Sequence, residues 1–283
     1  MTRRSADPFA TPLFDLEWAE LDFEHPDVPT RTHVAPAPAR PVPPAPALLE
    51  PLLPGPPEWS DALGVFDLET TGIDTDIARI VTAHVGLIDE TGAIVERKEW
   101  IIDPGEPIPA GATAVHGIDD ARVRRFGRSP AEVVPEILDA IRSVTRRGFP
   151  LAIYNAPYDL TLLSREAARL GLEPLDGTQL IVDALVLDRA LDKYRKGKRT
   201  LELNAAFYGV PLETAHDAGA DAIAAGRVAQ AIARRYPVEL GVEMDRLHAM
   251  QAEWCRIQAA DFQEYMRRTR DPDFTADGAW PLR

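Results

Sequence analysis

The sequence predicts an α/β protein whose sheet mixes parallel and antiparallel strands. Two observations carry this. Three strand-like runs follow one another between Leu63 and Asp103, the last two joined by the turn "ETG" (90–92). From Pro130 to Tyr236, helical and strand patterns then alternate. A third observation sets the limits of the fold. Of 26 prolines, 14 lie between Pro8 and Pro57, so the chain ahead of the first strand reads as an extended linker rather than a core.

Taken in order, "ALGVFDLE" (62–69), "RIVTAHVGLID" (79–89) and "AIVERKEWIID" (93–103) are apolar, β-branched runs and are expected as strands. "PAEVVPEILDAIR" (130–142) has helical apolar spacing, "FPLAIYN" (149–155) reads as a fourth strand, and "YDLTLLSREAARLG" (158–171) as a helix stopped by Gly171. "QLIVDALVLDRAL" (179–191) is a short strand running into a helix. Residues 200–209 and 217–236 read as helices, 239–269 as one long helical stretch, and "DGAWPLR" (277–283) as a ragged tail. The expected organisation is a disordered acidic, Pro-rich segment (1–60), an α/β domain (61–237) and a C-terminal helical extension with its tail (238–283).

The 283-residue chain is 45% hydrophobic with a net charge of −14, as suits a globular protein but not one that holds nucleic acid by charge alone. An acidic chain can still act on a polyanion through metal ions and a local basic patch. The lone Cys255 excludes an internal disulfide and sits among Trp254, Ile257 and Phe262 as a packing residue. No signal peptide or membrane-length apolar run is read, so the expected location is cytoplasmic. Residues 12–27 alternate aromatics (Phe14, Trp18, Phe23) with acids. They read as solvated disorder or as a segment that docks on a partner or a basic surface.

The stretch "GVFDLETTG" (64–72) places Asp67 and Glu69 on one face of a strand, where two like charges oppose each other unless a cation lies between them. "YNAPYD" (154–159) adds Asp159 after a strand, and "AHDAGAD" (215–221) adds His216 and Asp221. Hard divalent cations bind through such carboxylates, paired metals serve phosphoryl displacement, and a histidine can take a proton from water. Each residue alone has a plainer reading: a strand-end pair for Asp67 and Glu69, a helix cap for Asp159 or for His216–Asp217, and a turn for Thr70–Gly72.

Together these stretches resemble the three motifs of the DEDDh, DnaQ-like 3′–5′ exonucleases of the ribonuclease H-like superfamily, and the bacterial DNA polymerase III epsilon-type exonuclease domain within it. "FDLETTG" is similar to the first, the N-x-x-x-D of "NAPYD" to the second, and the H-x-x-x-x-D of "HDAGAD" to the third. "IPAGATAVHGIDDARV" (108–123) is similar to the loop that meets the 3′-terminal nucleotide. The resemblance covers residues 63–236 and implies a ribonuclease H-like mixed sheet flanked by helices. It implies Asp67, Glu69, Asp159 and Asp221 as ligands of two Mg²⁺ or Mn²⁺, and His216 as general base. The residues expected to contact substrate are Leu68, Thr70, Thr71, Gly72, His116, Ile118, Asn155 and Tyr158, with the terminal base resting near Leu68 and Ile118; His116 is alternatively a satisfied loop histidine. Tyr154 and Tyr158 depart from the His and Phe common at these places.

Lys193, Lys196 and Lys198, with Arg195 and Arg199, fall in "DKYRKGKRT" (192–200). That run reads as a solvated loop or as a mobile clamp on an incoming single strand. His25, His33, His84 and His248 read as ordinary residues. The implied activity is release of nucleoside 5′-monophosphates from single-stranded or frayed DNA 3′ ends, in proofreading or repair. RNA is the alternative substrate. A further alternative is a proofreading subunit acting mainly by binding a DNA polymerase or, through "TPLFDL" (11–16), a sliding clamp. No membrane partner is expected.

Overall fold

The computed structural model describes residues 55–175, 180–212 and 217–283. The disorder expected for the N-terminal segment therefore lies almost wholly outside the described residues. Five strands, β1 (Leu63–Thr70), β2 (Ile80–Ile88), β3 (Ile94–Ile101), β4 (Leu151–Ile153) and β5 (Ile181–Asp183), form one sheet in the order β3-β2-β1-β4-β5. β1–β2 and β2–β3 are antiparallel, whereas β1–β4 and β4–β5 are parallel, so the sheet is mixed as expected. The β2–β3 turn is held by the Asp89 carboxylate, which accepts the Thr91 and Ala93 N–H groups, with Gly92 at φ 78°.

The helices are α1 (Ala110–His116), α2 (Asp120–Phe126), α3 (Pro130–Arg146), α4 (Ala156–Arg169), α5 (Ala184–Leu191), α6 (Leu201–Tyr208), α7 (Ala218–Arg235), α8 (Pro237–Leu240) and α9 (Met244–Thr269). α3 starts at a capping box between Ser129 and Glu132 with Pro130 at its first position. Its Val133, Ile137, Leu138, Ile141 and Val144 are buried with Phe66 and Leu68 on one face of the sheet. Each such side chain contributes about 1.5–3 kcal/mol on burial. The opposite face of β1 packs Leu63 and Val65 against Ala222, Val228, Ala229 and Ile232 of α7. α7 lies close: a Cβ on Gly226 would stand 2.5 Å from Val65 Cγ1 and 2.7 Å from Ile88 Cδ1.

Three expectations need correction. The stretch 108–123 is not a plain loop but holds most of α1 and α2, separated by Gly117 at φ 74°. The helix expected over 239–269 begins only at Met244. Pro237 drives Tyr236 out of helical geometry and opens the short α8, and Gly241 at ψ 57° closes it. The tail 277–283 is not ragged: Trp280 is buried in the same core cluster as Phe66 and Cys255.

α9 also closes one edge of the sheet. His248 Nδ1 accepts the Ile181 N–H at 3.2 Å, and Gln251 accepts from Asp183 N and donates to Ile181 O, so side chains replace a sixth strand along β5. His248 is thus a structural residue rather than an ordinary one.

Candidate active site

Asp67 and Glu69 end β1 on the face covered by α7, because residues 63, 65, 67 and 69 share one side of the pleat. Asp221 stands in the first turn of α7, which Asp217 caps by accepting Gly219 N and Ala220 N. Oxygens of Asp67, Glu69 and Asp221 lie within 4.8 Å of one another. Asp159, in the first turn of α4, turns the other way round β1: its Oδ1 accepts the Leu68 N–H at 3.2 Å. β4 pairs with β1 only at Gly64 and Val65, so beyond that point the α4 N-terminus takes the place of a neighbouring strand. Helix starts suit these anions, since their free N–H groups carry partial positive charge.

The acids are strongly perturbed. Burial, then Asp159, Glu69, Asp221 and Asp217, hold the Asp67 carboxyl well above the usual range. Burial, then Asp221 and Asp217, push Glu69 up to about 8. Burial raises Asp159 against the opposing N–H groups of its own backbone and of Leu68. Carboxyls held so close favour protonation until a cation neutralises them. An all-oxygen set of this kind fits a hard divalent ion.

The remaining residues sort themselves around this cluster. Tyr158 OH donates to Gly72 O at 2.5 Å and lies 2.6 Å from Thr70 Oγ1, which ties the turn after β1 to α4. Thr71 Oγ1 accepts the Arg79 N–H. Asn155 caps α4 in the left-handed region, φ 65°. A cleft of about 480 Å³ opens beside Glu69, lined among others by Glu99, Trp100, His116, Ile118 and Asp217. His116 Nδ1 accepts the Ile118 N–H at 3.1 Å. Leu68 does not line this cleft; its side chain, 5% exposed, belongs to the core under α3 and α4. Ile118 alone of the expected pair of base supports reaches the cleft. His216 lies outside the described residues.

The basic run 192–200 is only partly what a mobile clamp requires. Arg195 and Arg199 both bond the buried Asp188 carboxylate at 2.5 Å, and Arg195 also reaches Asn204. Lys193 pairs with Asp261 of α9 at 2.9 Å. Lys196 and Lys198 are exposed. The arginines are therefore committed to the fold, because a buried carboxylate needs charged partners.

Two residues escaped the sequence reading. His84, fully buried, is the cross-strand partner of Asp67 and faces Glu99 through Nδ1 at 3.3 Å. Asp183 ends β5, caps α5 and bonds the start of α4. An acid closing an apolar strand just ahead of a helix was the available signal for Asp183, the same pattern that pointed to Asp159.

A mixed sheet whose central strand ends in clustered carboxylates is the frame of a ribonuclease H-like nuclease. The sequence model of the exonuclease family (RNase_T) matches residues 65–229, and the chain belongs to that family. It is 32% identical over 165 residues to the PolC-type DNA polymerase III of Listeria welshimeri, covering 58% of this chain and 11% of that protein. It is 38% identical over 117 residues to an uncharacterized exonuclease, CP81, of Escherichia phage 186, covering 41% of this chain and 55% of that one. The fold is similar to that of E. coli exonuclease I in complex with a dA16 oligonucleotide, with TM-score 0.56 at 20% identity over 66% of this chain and 43% of that one. The match thus spans about a tenth of the polymerase. Among the described residues, no helix is long and apolar enough to cross a membrane.

Proposed function

We propose that the protein is a metal-dependent 3′–5′ exonuclease that releases nucleoside 5′-monophosphates from single-stranded or frayed DNA ends, of the proofreading or repair type. The convergence of Asp67, Glu69 and Asp221 within 4.8 Å carries this reading. Asp159, held on the Leu68 N–H and close enough to raise Asp67, extends the set. These four residues would hold two Mg²⁺ or Mn²⁺. When bound, such ions supply a Lewis acid for the scissile phosphate and lower the pKa of water. His216 takes the proton from the attacking water. The turn Thr70–Gly72, braced by Tyr158, shapes the wall near the reacting phosphate, and His116 and Ile118 receive the terminal nucleotide in the cleft. Asn155 stands at the N-cap of α4, where its backbone is held by Asp183 and its side chain is proposed to meet the substrate. Lys196 and Lys198, together with Lys193 when its pair with Asp261 opens, meet the backbone upstream. DNA is favoured because the PolC-type relative is a DNA polymerase and the exonuclease I neighbour is bound to dA16.

The test is digestion of matched 5′-labelled DNA and RNA oligonucleotides with Mg²⁺, Mn²⁺ or EDTA. A ladder shortening from the 3′ end on DNA, lost in EDTA, is expected. Full-rate digestion in EDTA overturns the metal reading, and preferential digestion of RNA overturns the substrate. Co-purification with a polymerase or sliding clamp, tested with the full chain, decides whether the enzyme works as a subunit.

A further inference from the structure

Trp280 and Arg283, at the far end of the chain, reach Asp183 and α4, the helix that carries Asp159. The Asp183 carboxylate, completely buried, gathers five N–H donors: Asn155 (3.1 Å), Ala156 (2.9 Å), Leu185 (3.0 Å), Val186 (3.3 Å) and the indole Nε1 of Trp280 (3.2 Å). A carboxylate without solvent is tolerated only when such donors surround it. Two of those donors belong to the turn that opens α4. Asn155, at the centre of the turn, is the one non-glycine residue with positive φ among the described residues. That conformation is strained for a residue with a side chain and persists only where its surroundings hold it. The same turn sets where α4 begins and so where Asp159, one turn on, meets Leu68 N.

The rest of the tail reinforces this path. The Arg283 N–H donates to Thr161 Oγ1 of α4 at 2.9 Å, two residues past Asp159. Trp280 lies with its ring centre 4.8 Å from that of His248, which holds β5. The tail therefore grips α4 both through Asp183 and directly.

We infer that Trp280 is a positioning residue for the metal site, acting through Asp183 and the Asn155 turn to fix Asp159. This rests on the proposed metal-binding role of the carboxylates. Loss of the indole donor leaves the fold in place but lets the second-motif turn relax, so that Asp159 is less often aligned with Asp67. Removing groups that orient metal ligands costs roughly 10- to 100-fold in affinity, and the lower end of that range is expected this far from the ion.

The experiment is Mn²⁺ titration by calorimetry, without substrate, on the parent, W280F and W59F. Trp59 is a matched control: it too is buried, and its indole N–H donates to the Leu240 carbonyl at 3.0 Å, on the opposite side of the sheet. W280F is expected to bind Mn²⁺ about tenfold more weakly, with W59F equal to the parent at a similar loss in Tm. Parent-like affinity in W280F, or equal weakening in both variants, overturns the inference. A parent that takes up no Mn²⁺ overturns the metal reading itself, and the positioning role with it. Should W280F not fold, Thr161→Val, which removes only the acceptor of the Arg283 N–H, is expected to weaken Mn²⁺ binding in the same direction, and parent-like affinity there is the contrary result.

Discussion

Asp159 Oδ1 accepts the backbone N–H of Leu68, so the carboxylate of the second motif is bonded to the strand that carries those of the first. Asp159 therefore has two separable properties, a charge and an acceptor. Asp159→Asn keeps an oxygen for Leu68 and removes one of four crowded negative charges. Its metal-free Tm is expected at or above that of the parent, with turnover down by roughly 10²-fold or more, since a proposed metal ligand is lost. Asp159→Ala also strands a buried N–H, at about 1–3 kcal/mol, and is expected to melt below the Asn variant. Thermal melts in EDTA beside oligonucleotide digestion check both.

On the proposed reading, metal and protons compete for the same oxygens. Asp67, Glu69 and Asp159 are all raised, so the metal-free folded state binds protons that the unfolded chain does not. Their stabilising contribution is whole below the unfolded carboxylate values of 3.8 to 4.5 and is lost as pH climbs, for Glu69 up to about 8. Metal-free Tm should therefore fall between about pH 5 and pH 8 on account of these groups. Mg²⁺ should release protons on binding, and should raise Tm more at about pH 8 than at about pH 6. Melts across pH with and without Mg²⁺ decide this, and a metal gain independent of pH would contradict it.

His216→Ala is expected to retain Mn²⁺ affinity and lose roughly 10²- to 10⁴-fold in turnover. Calorimetry and single-turnover digestion separate the two effects. Unchanged turnover removes His216 from the role of base.

Gly226→Ala tests the close approach of α7 to the sheet. Alanine gains up to about 1 kcal/mol in helix propensity, yet its methyl would meet Val65 and Ile88 inside contact distance, which costs about 1–3 kcal/mol. A net drop in Tm is expected. Activity should fall as well, because α7 carries Asp221 one and a half turns earlier.

The basic run divides in two. Lys196→Gln with Lys198→Gln should leave Tm unchanged and flatten the salt dependence of binding to a long single strand, by about 0.7 in log–log slope for each phosphate no longer neutralised. Dinucleotides should be cleaved as before. Arg199→Ala, by contrast, leaves the buried Asp188 with one guanidinium, that of Arg195, and the Tyr208 hydroxyl, and should cost up to about 3–5 kcal/mol of stability. Equal salt slopes in the double lysine variant and the parent would return the loop to a solvated role.

The strand order of motifs was legible because it is costly to place acids where a strand should pack, and because the periods of two and of 3.6 are local properties of the chain. Asp67 and Glu69 could be singled out that way and Asp221 by the H-x-x-x-x-D spacing of 216–221, and the structure brings the three together. His84 could not. Its register against Asp67 is set across the loop 71–79, whose closure no local pattern encodes. The pairing of Asp183 with Trp280 spans 97 residues and joins a buried acid to a stretch whose glycine, aspartate and proline read as irregular chain. α1 and α2 were missed because seven residues each give barely two turns, and Pro109 ahead of α1 offers no capping side chain.

With β5 sealed by His248 and Gln251, the edge left open among the described residues is that of β3, up to the bridge from Arg128 to Ile102. That margin is guarded by charge, with Glu96, Arg97, Lys98 and Glu99 in succession, which discourages accidental strand pairing. Its far end also supplies Glu99, Trp100 and Ile101 to the wall of the cleft. Any chain that extended this sheet would have to do so alongside the cleft proposed to admit the nucleic-acid end, so recruitment by strand addition and substrate entry would share one threshold.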